Sequence, residues 1–241
     1  MRYKCVVSYD GTNFHGFQRQ KELRTVQLEI EEVLKLILKD IVKIHSAGRT
    51  DTGVHSHGQV FHFDTNISMP EKNMKNAINS RLPRDIYVKN VEIVSSDFHS
   101  RYSAKGKIYK YTIDLGEYDP LNTKYRYYFE HPLDIEKMID ASSIFIGEHD
   151  FRSFTKNHKL RNTVRTIFSI DFKIVDTKID IYFYGNGFLH NMIRIIVAML
   201  IEIGKGKINK EDLEFILKCE DRAKAPKIAP SNGLCLEKVL Y

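Results

Sequence analysis

Val42-Lys43-Ile44-His45-Ser46-Ala47-Gly48-Arg49-Thr50-Asp51-Thr52-Gly53-Val54-His55 is a short apolar strand, Val42 to Ser46, that breaks into a turn between two glycines. After it, Gln59 to Asp64 reads as the partner strand, with Val60, Phe61 and Phe63 apolar. Upstream, Thr25 can cap a helix in which Val26, Ile30, Val33, Leu34 and Ile37 recur at helical spacing. Before that helix, Arg2 to Tyr9 sets Tyr3, Cys5, Val7 and Tyr9 on one face against Arg2, Lys4 and Ser8 on the other, the period of a half-buried strand, and stops at the turn signal Asp10-Gly11. Downstream, Pro70 opens a second helix through Ile78, Leu82-Pro83 closes it, and Ile86 to Val94 reads as a strand. Strand, helix, strand, strand, helix, strand is the order of the split βαβ in ferredoxin-like folds.

A second pass begins near Lys107, where Tyr109, Tyr111 and Ile113 line one face of a strand. Asp134 caps a helix carrying Ile135, Met138 and Ile139, and Thr163 to Val175 and Ile179 to Tyr184 read as two strands joined at Asp176-Thr177. The helix from Leu189 to about Lys205 is apolar beyond its first turn, which marks it as buried. Asn209 caps another helix with Asp212 completing an N-x-x-D box, and Leu234 to Val239 closes as a strand. The halves look like two versions of one α+β unit, with a boundary near Ser103 to Lys105.

A chain of 241 residues, 42% hydrophobic, can bury a full core as one large domain or two smaller ones. Its net charge of +6 tilts the surface towards a polyanion, of which nucleic acid is the commonest. Cys5, Cys219 and Cys235 are odd in number and form no C-x-x-C, so neither a disulfide framework nor a cysteine zinc site is expected. The N-terminus shows no signal-peptide pattern, and the longest apolar run, Ile195 to Ile201, is far too short to span a bilayer. A cytoplasmic protein with no membrane association is the expectation.

Three constellations can carry chemistry. Arg49 and Asp51 stand two residues apart in the Gly-bounded turn, where a cation can keep a carboxylate ionised and oriented for nucleophilic work. The plain alternative is a turn-capping Asp51 and a solvated Arg49. Next, Gly185-Asn186-Gly187-Phe188-Leu189-His190-Asn191-Met192-Ile193-Arg194 feeds a turn into an apolar helix on which Arg194 needs an anionic partner or an exposed edge. Asp51 is the most interesting such partner. Last, Tyr102, Tyr109 and Tyr111 interleave with Lys105, Lys107 and Lys110, a pattern suited to stacking a base while holding phosphates, unless the rings face the core. Two further patterns carry less. Asp51-Thr52-Gly53 matches the triplet of aspartic proteases, but those need two triplets and the chain has one. His55, His57 and His62 could hold a metal, yet no carboxylate or cysteine is placed to complete the set, so no metal is expected.

Together these stretches resemble the tRNA pseudouridine synthase A family. Ala47 to His55 is similar to the family's G-R-T-D-x-G-V-H loop. Tyr9-Asp10-Gly11-Thr12-Asn13-Phe14-His15-Gly16-Phe17-Gln18, Phe98 to Ala104, Gly147 to Phe154, Phe188 to Arg194 and Ala229 to Leu234 follow in the family's order. The chain departs from the usual pattern at Phe14 and Phe17, where the family often has Tyr and Trp, and at Lys107, where Arg is common.

The resemblance implies isomerisation of uridine to pseudouridine in the anticodon arm of tRNA, at positions 38 to 40, without cofactor or metal. It implies Asp51 as nucleophile, Arg194 as its salt-bridge partner, Tyr109 as the ring stacked on the target base, and Arg49 as a residue that displaces and holds the flipped nucleotide. It further implies a homodimer. The fold expected is α+β: two ferredoxin-like or RRM-like subdomains, residues 1–104 with the Asp51 loop and 105–241 completing the site, sharing a central mostly antiparallel sheet with the active-site cleft between them. The alternative in another class is a non-catalytic RNA-binding protein with paired RRM-like sheets, indifferent to loss of Asp51.

Overall fold

The structure is a computed structural model that describes residues 1–156, 160–225 and 227–241. Its strands are β1 (Arg2–Tyr9), β2 (His45–Ser46), β3 (His55–Asp64), β4 (Ile86–Val94), β5 (Gly106–Asp114), β6 (Tyr127–Tyr128), β7 (Gly147–Asp150), β8 (Val164–Val175), β9 (Lys178–Gly185) and β10 (Leu234–Leu240). Its helices are α1 (Val26–Leu38), α2 (Glu71–Asn79), α3 (Ile135–Ser142), α4 (Met192–Gly204) and α5 (Lys210–Lys218), with short 3-10 turns between. The fold is α+β, and the chain divides into two compact units, Met1–Lys105 with Cys235–Tyr241, and Gly106–Leu234.

In the first unit β1 lies between β4 and β3 and is antiparallel to both. The alternation in β1 is realised as read: Tyr3, Cys5, Val7 and Tyr9 are buried and join Val26, Ile30 and Leu34 of α1, Met74 and Ile78 of α2, and Phe61 and Phe63 of β3 in one core. Each such side chain contributes roughly 1.5–3 kcal/mol by leaving water. Thr25 caps α1 by accepting from the Leu28 N–H at 3.3 Å. The edge of β3 away from β1 is shared. β2 pairs antiparallel at His45↔His62 and Ser46↔Phe61, and β10 pairs parallel at Cys235↔His55 and Leu236↔Ser56. The first hairpin strand is therefore shorter than its apolar run. Val42 and Ile44 are buried, but the Ile44 N–H donates to the Glu31 carboxylate of α1 at 3.2 Å, so a helix side chain and not a strand satisfies that backbone.

The second unit runs β5, β9, β8, β7 with antiparallel neighbours, and β6 adds to β5 in parallel. Tyr109, Tyr111 and Ile113 of β5 point inward, and all of α4 except Arg194 is buried. At its C-terminal end Gly204 lies so near α3 that an added Cβ would stand 2.8 Å from the Met138 sulfur. Asn209 and Asp212 form the full capping box of α5. Asp114 accepts from Arg126 at 2.8 Å, from the Thr177 hydroxyl at 2.8 Å and from the Gly116 N–H at 3.0 Å. Burial pushes that carboxyl up, but these donors outweigh it and hold it below the usual carboxylate range. Residues 235–241 pack with the first unit and not with the rest of 105–241, because β10 pairs with β3.

Candidate active site

The Asp51 loop is fixed from two sides within the first unit. From the β3 side, Ala47 N–H donates to the Val60 carbonyl at 2.7 Å, and the Gln59 amide donates to the Gly48 carbonyl at 3.0 Å. The turn closes on itself where Val54 N–H donates to the Asp51 carbonyl at 3.1 Å, with Gly53 at φ +77°. From the other side comes the segment between β1 and α1. Phe17 N–H donates to the Thr50 carbonyl at 3.1 Å, Gly53 N–H to the Phe14 carbonyl at 3.3 Å, and Gly11 N–H to His55 Nδ1 at 3.0 Å.

Two glycines make that approach possible. A Cβ on Gly11 would fall 2.1 Å from the Val54 carbonyl oxygen, and one on Gly16, which has φ +82°, 2.7 Å from the Thr50 carbonyl oxygen. Inside the loop, the Thr50 and Tyr9 hydroxyls are 2.9 Å apart and buried. Burial raises the Tyr9 phenol far above its ordinary range, so it stays a neutral hydrogen-bonding group. With Thr50 turned inward, its neighbours remain at the surface: Arg49 is exposed and Asp51 half-buried. A carboxylate on a backbone clamped at residues 47, 48, 50, 53 and 54 has little freedom to wander, which suits a group that must meet a reacting atom in one geometry.

The second unit holds the other two expected residues. Tyr109 is 7% exposed and meets Phe188 edge-on, with ring centroids 5.3 Å apart. Arg194 sits in the first turn of α4 and is half-buried, not on an exposed edge. Its Nε donates to the Ala229 carbonyl at 2.8 Å and its Nη1 to the Asn191 side chain at 2.9 Å, while Ala229 N–H returns a bond to the Arg194 carbonyl at 3.0 Å. Asn191 adopts φ +61° to reach that position. The Ala229 to Gly233 segment is pinned in turn: Tyr111 OH donates to the Pro230 carbonyl at 2.8 Å, and a Cβ on Gly233 would stand 2.8 Å from the Tyr111 ring. The Arg194 guanidinium is therefore oriented by its neighbours. Arg49 and Asp51 thus share one loop, and Tyr109 and Arg194 share the other unit.

Of the remaining expectations, Tyr111 is a fully buried core ring, whereas Tyr102 is 78% exposed. The three histidines of β3 face different neighbours. His55 accepts from Gly11, His62 Nδ1 lies 2.9 Å from the Ser100 hydroxyl, and His57 shares its surroundings with Cys235 and Glu237, one donor atom of each lying within 4.8 Å of the others. Cys235 and Glu237 come from β10, a strand remote in sequence, so local spacing could not have signalled that group. Sequence reasoning also passed over Tyr9, Thr50 and Asn191, whose roles rest on backbone conformation and contacts across the fold. Among the described residues, no helix is long and apolar enough to cross a membrane.

A family profile described as tRNA pseudouridine synthase matches residues 5–103 and 141–241, ranges that include Asp51 and Arg194. The chain is 42% identical over 240 residues to tRNA pseudouridine synthase A 2 of Clostridium perfringens, covering 99% of this chain and 98% of the relative. It is 43% identical over 243 residues to tRNA pseudouridine synthase A of a Geobacillus species, covering 100% of this chain and 98% of that one. It is also 43% identical over 245 residues to tRNA pseudouridine synthase A of Bacillus pumilus, covering 100% and 99%. Among solved structures, that of an H/ACA RNP bound to a substrate RNA containing 2'-deoxyuridine overlaps 83% of this chain and 53% of its own, at 12% identity and a TM-score of 0.37.

Proposed function

Because this chain belongs to the tRNA pseudouridine synthase family of isomerases, we propose that it converts uridine to pseudouridine in the anticodon arm of tRNA, at positions 38 to 40, with Asp51 as the nucleophile. The observation that carries the assignment is the loop itself. Asp51 is the half-buried carboxylate of a turn whose flanking backbone is fixed by hydrogen bonds from β3 and from residues 14–17.

The reaction is an isomerisation and needs no net oxidation. The bond between N1 and the ribose C1′ breaks, the base turns, and C5 bonds to C1′. The proton leaving C5 is balanced by one gained at N1. To expose those atoms the uridine must leave its stack. Arg49, exposed on the same loop, is the group proposed to help displace and hold the flipped nucleotide. Tyr109 is proposed to stack on the extruded uracil, and Arg194 to serve as the guanidinium partner of Asp51. A carboxylate can act at uracil C6 or at ribose C1′, and either route uses the same residue. Homodimerisation and action in the cytoplasm complete the proposal, the first tested by light scattering of the purified chain.

Release of tritium from tRNA labelled at uracil C5 tests the reading directly. The wild-type chain should release label from positions 38 to 40. Asp51→Asn should release none while binding tRNA within a few-fold of wild type. Turnover by that variant would remove Asp51 from the nucleophile role. Binding without any release by the wild type would favour a non-catalytic RNA-binding protein.

A further inference from the structure

Away from the Asp51 loop the first unit carries an unusual layer of rings. His45 stacks on His62 with centroids 5.1 Å apart and planes 22° apart, His99 meets His62 edge-on at 4.7 Å, and Tyr102 lies over His99 at 4.3 Å and 34°. The layer is built from the inside out. His62 is 2% exposed, whereas Tyr102 is 78% exposed. The exposed ring is held in place by the backbone beneath it. His99 Nδ1 accepts from the N–H groups of Arg101 and Tyr102 at 3.1 and 3.3 Å, and His62 Nδ1 accepts from the Ser100 N–H at 3.2 Å. Those bonds require Nδ1 of both imidazoles to be unprotonated. Desolvation and neighbouring positive charge push both rings below the ordinary histidine range, His62 to about 4. His62 and His99 thus present neutral π faces at neutral pH, and the exposed Arg101 guanidinium stands 5.9 Å from the Tyr102 ring centre.

A large aromatic ring presented to solvent on a rigid support, with a cation beside it, has the chemistry of a base-stacking platform. We propose that Tyr102, seated on His99 and backed by His62 and His45, stacks a base of the RNA substrate, with Arg101 holding the adjoining phosphate. This rests on the reading of the chain as an RNA-modifying enzyme and adds a second point of grip to it. His55 at the Asp51 loop and His62 beneath the platform are seven residues apart on β3, about 20 Å along the strand. A base held at Tyr102 is therefore not the uridine being isomerised, but one several nucleotides from it. The cation suits the occupant, since RNA brings a phosphate with each base and the chain carries a net charge of +6.

Affinity for an unmodified tRNA transcript, with tritium release measured in parallel, tests this. Tyr102→Ala should weaken tRNA binding about tenfold, and Tyr102→Phe should restore it. The single-turnover rate at saturating tRNA should stay at the wild-type value for both, since neither residue meets the reacting uridine. Arg101→Gln should lower the slope of log affinity against log salt by about one, and Tyr102→Ala should leave that slope unchanged. Tyr102 is exposed, so these variants retain the fold. Tyr102→Ala binding within twofold of wild type would overturn the platform, whatever the activity assay shows. Weakened binding alongside a wild-type chain that releases no tritium would sustain the platform and overturn the enzymatic reading.

Discussion

His62 gives the fold a measurable sensitivity to acid. Its ring is buried 2% exposed beneath His45 and His99, and burial first, then the positive potential of Arg2, His99 and His45, lowers its pKa to about 4, with Asp64 opposing weakly. In the unfolded chain an ordinary histidine titrates near 6.5. Between those values the unfolded chain takes up a proton that the folded chain refuses, so stability is full above pH 6.5 and drains away as pH falls towards 4. Each pH unit in that window removes up to about 1.4 kcal/mol, which sums to ~3 kcal/mol, a large share of the stability of an ordinary domain. Urea midpoints measured from pH 7 to pH 4 should therefore fall steeply, and His62→Gln, which cannot titrate and keeps an acceptor for the Ser100 N–H, should flatten that limb. Direct NMR titration of the imidazole guards against a variant that simply folds poorly. A His62 ring titrating near 6.5, or parallel acid limbs in wild type and variant, would refute the reasoning.

Other perturbations read the Asp51 loop and the Arg194 fork. Tyr9→Phe removes the buried hydroxyl facing Thr50 and should cost about 1 kcal/mol in urea melts, while lowering kcat with KM nearly unchanged, because it loosens the loop without touching tRNA. Gly16→Ala adds a methyl 2.7 Å from the Thr50 carbonyl oxygen at φ +82° and should cost about 1–3 kcal/mol of strain, with a larger fall in turnover than in tRNA affinity. Arg194→Lys keeps a charge but loses the fork that reaches both Ala229 and Asn191, and should reduce single-turnover pseudouridine formation about a hundredfold. Near-normal rates in that variant would separate Arg194 from the chemistry.

Periodicity made most of the framework legible. The alternation in Arg2–Tyr9, the Thr25 and Asn209 caps and the unbroken apolar stretch of α4 each fix an element through local physics. The two-residue strand β6 was not readable, and β2 covers only the end of the strand read at Val42–Ser46, since the extent of such short strands depends on which partner edge remains open. At the site, Arg49 and Asp51 stood out because opposite charges lie two apart in a turn bounded by glycines. What holds them did not. The Gly11 and Gly16 requirement comes from a backbone some 40 residues away in sequence, and Asn191 acts only because its left-handed backbone turns it towards Arg194. The ring layer under Tyr102 was hidden for the same reason, because strand register pairs His45 with His62 and the turn after β4 folds His99 onto them, none of which spacing reveals.

The divided edge of β3 bears on how the protein matures as it is made. One end of that edge is filled by β2, which leaves the ribosome early, and the other by β10, which emerges only after the whole of Gly106–Leu234. Until then the backbone at His55 and Ser56, next to the Asp51 turn, lacks its β10 partner, and Ser56 Oγ lacks the Leu236 carbonyl that it binds at 3.1 Å. The surroundings of the Asp51 loop are thus among the last parts of the molecule to be finished, and an interrupted translation product would carry Asp51 on an incomplete sheet.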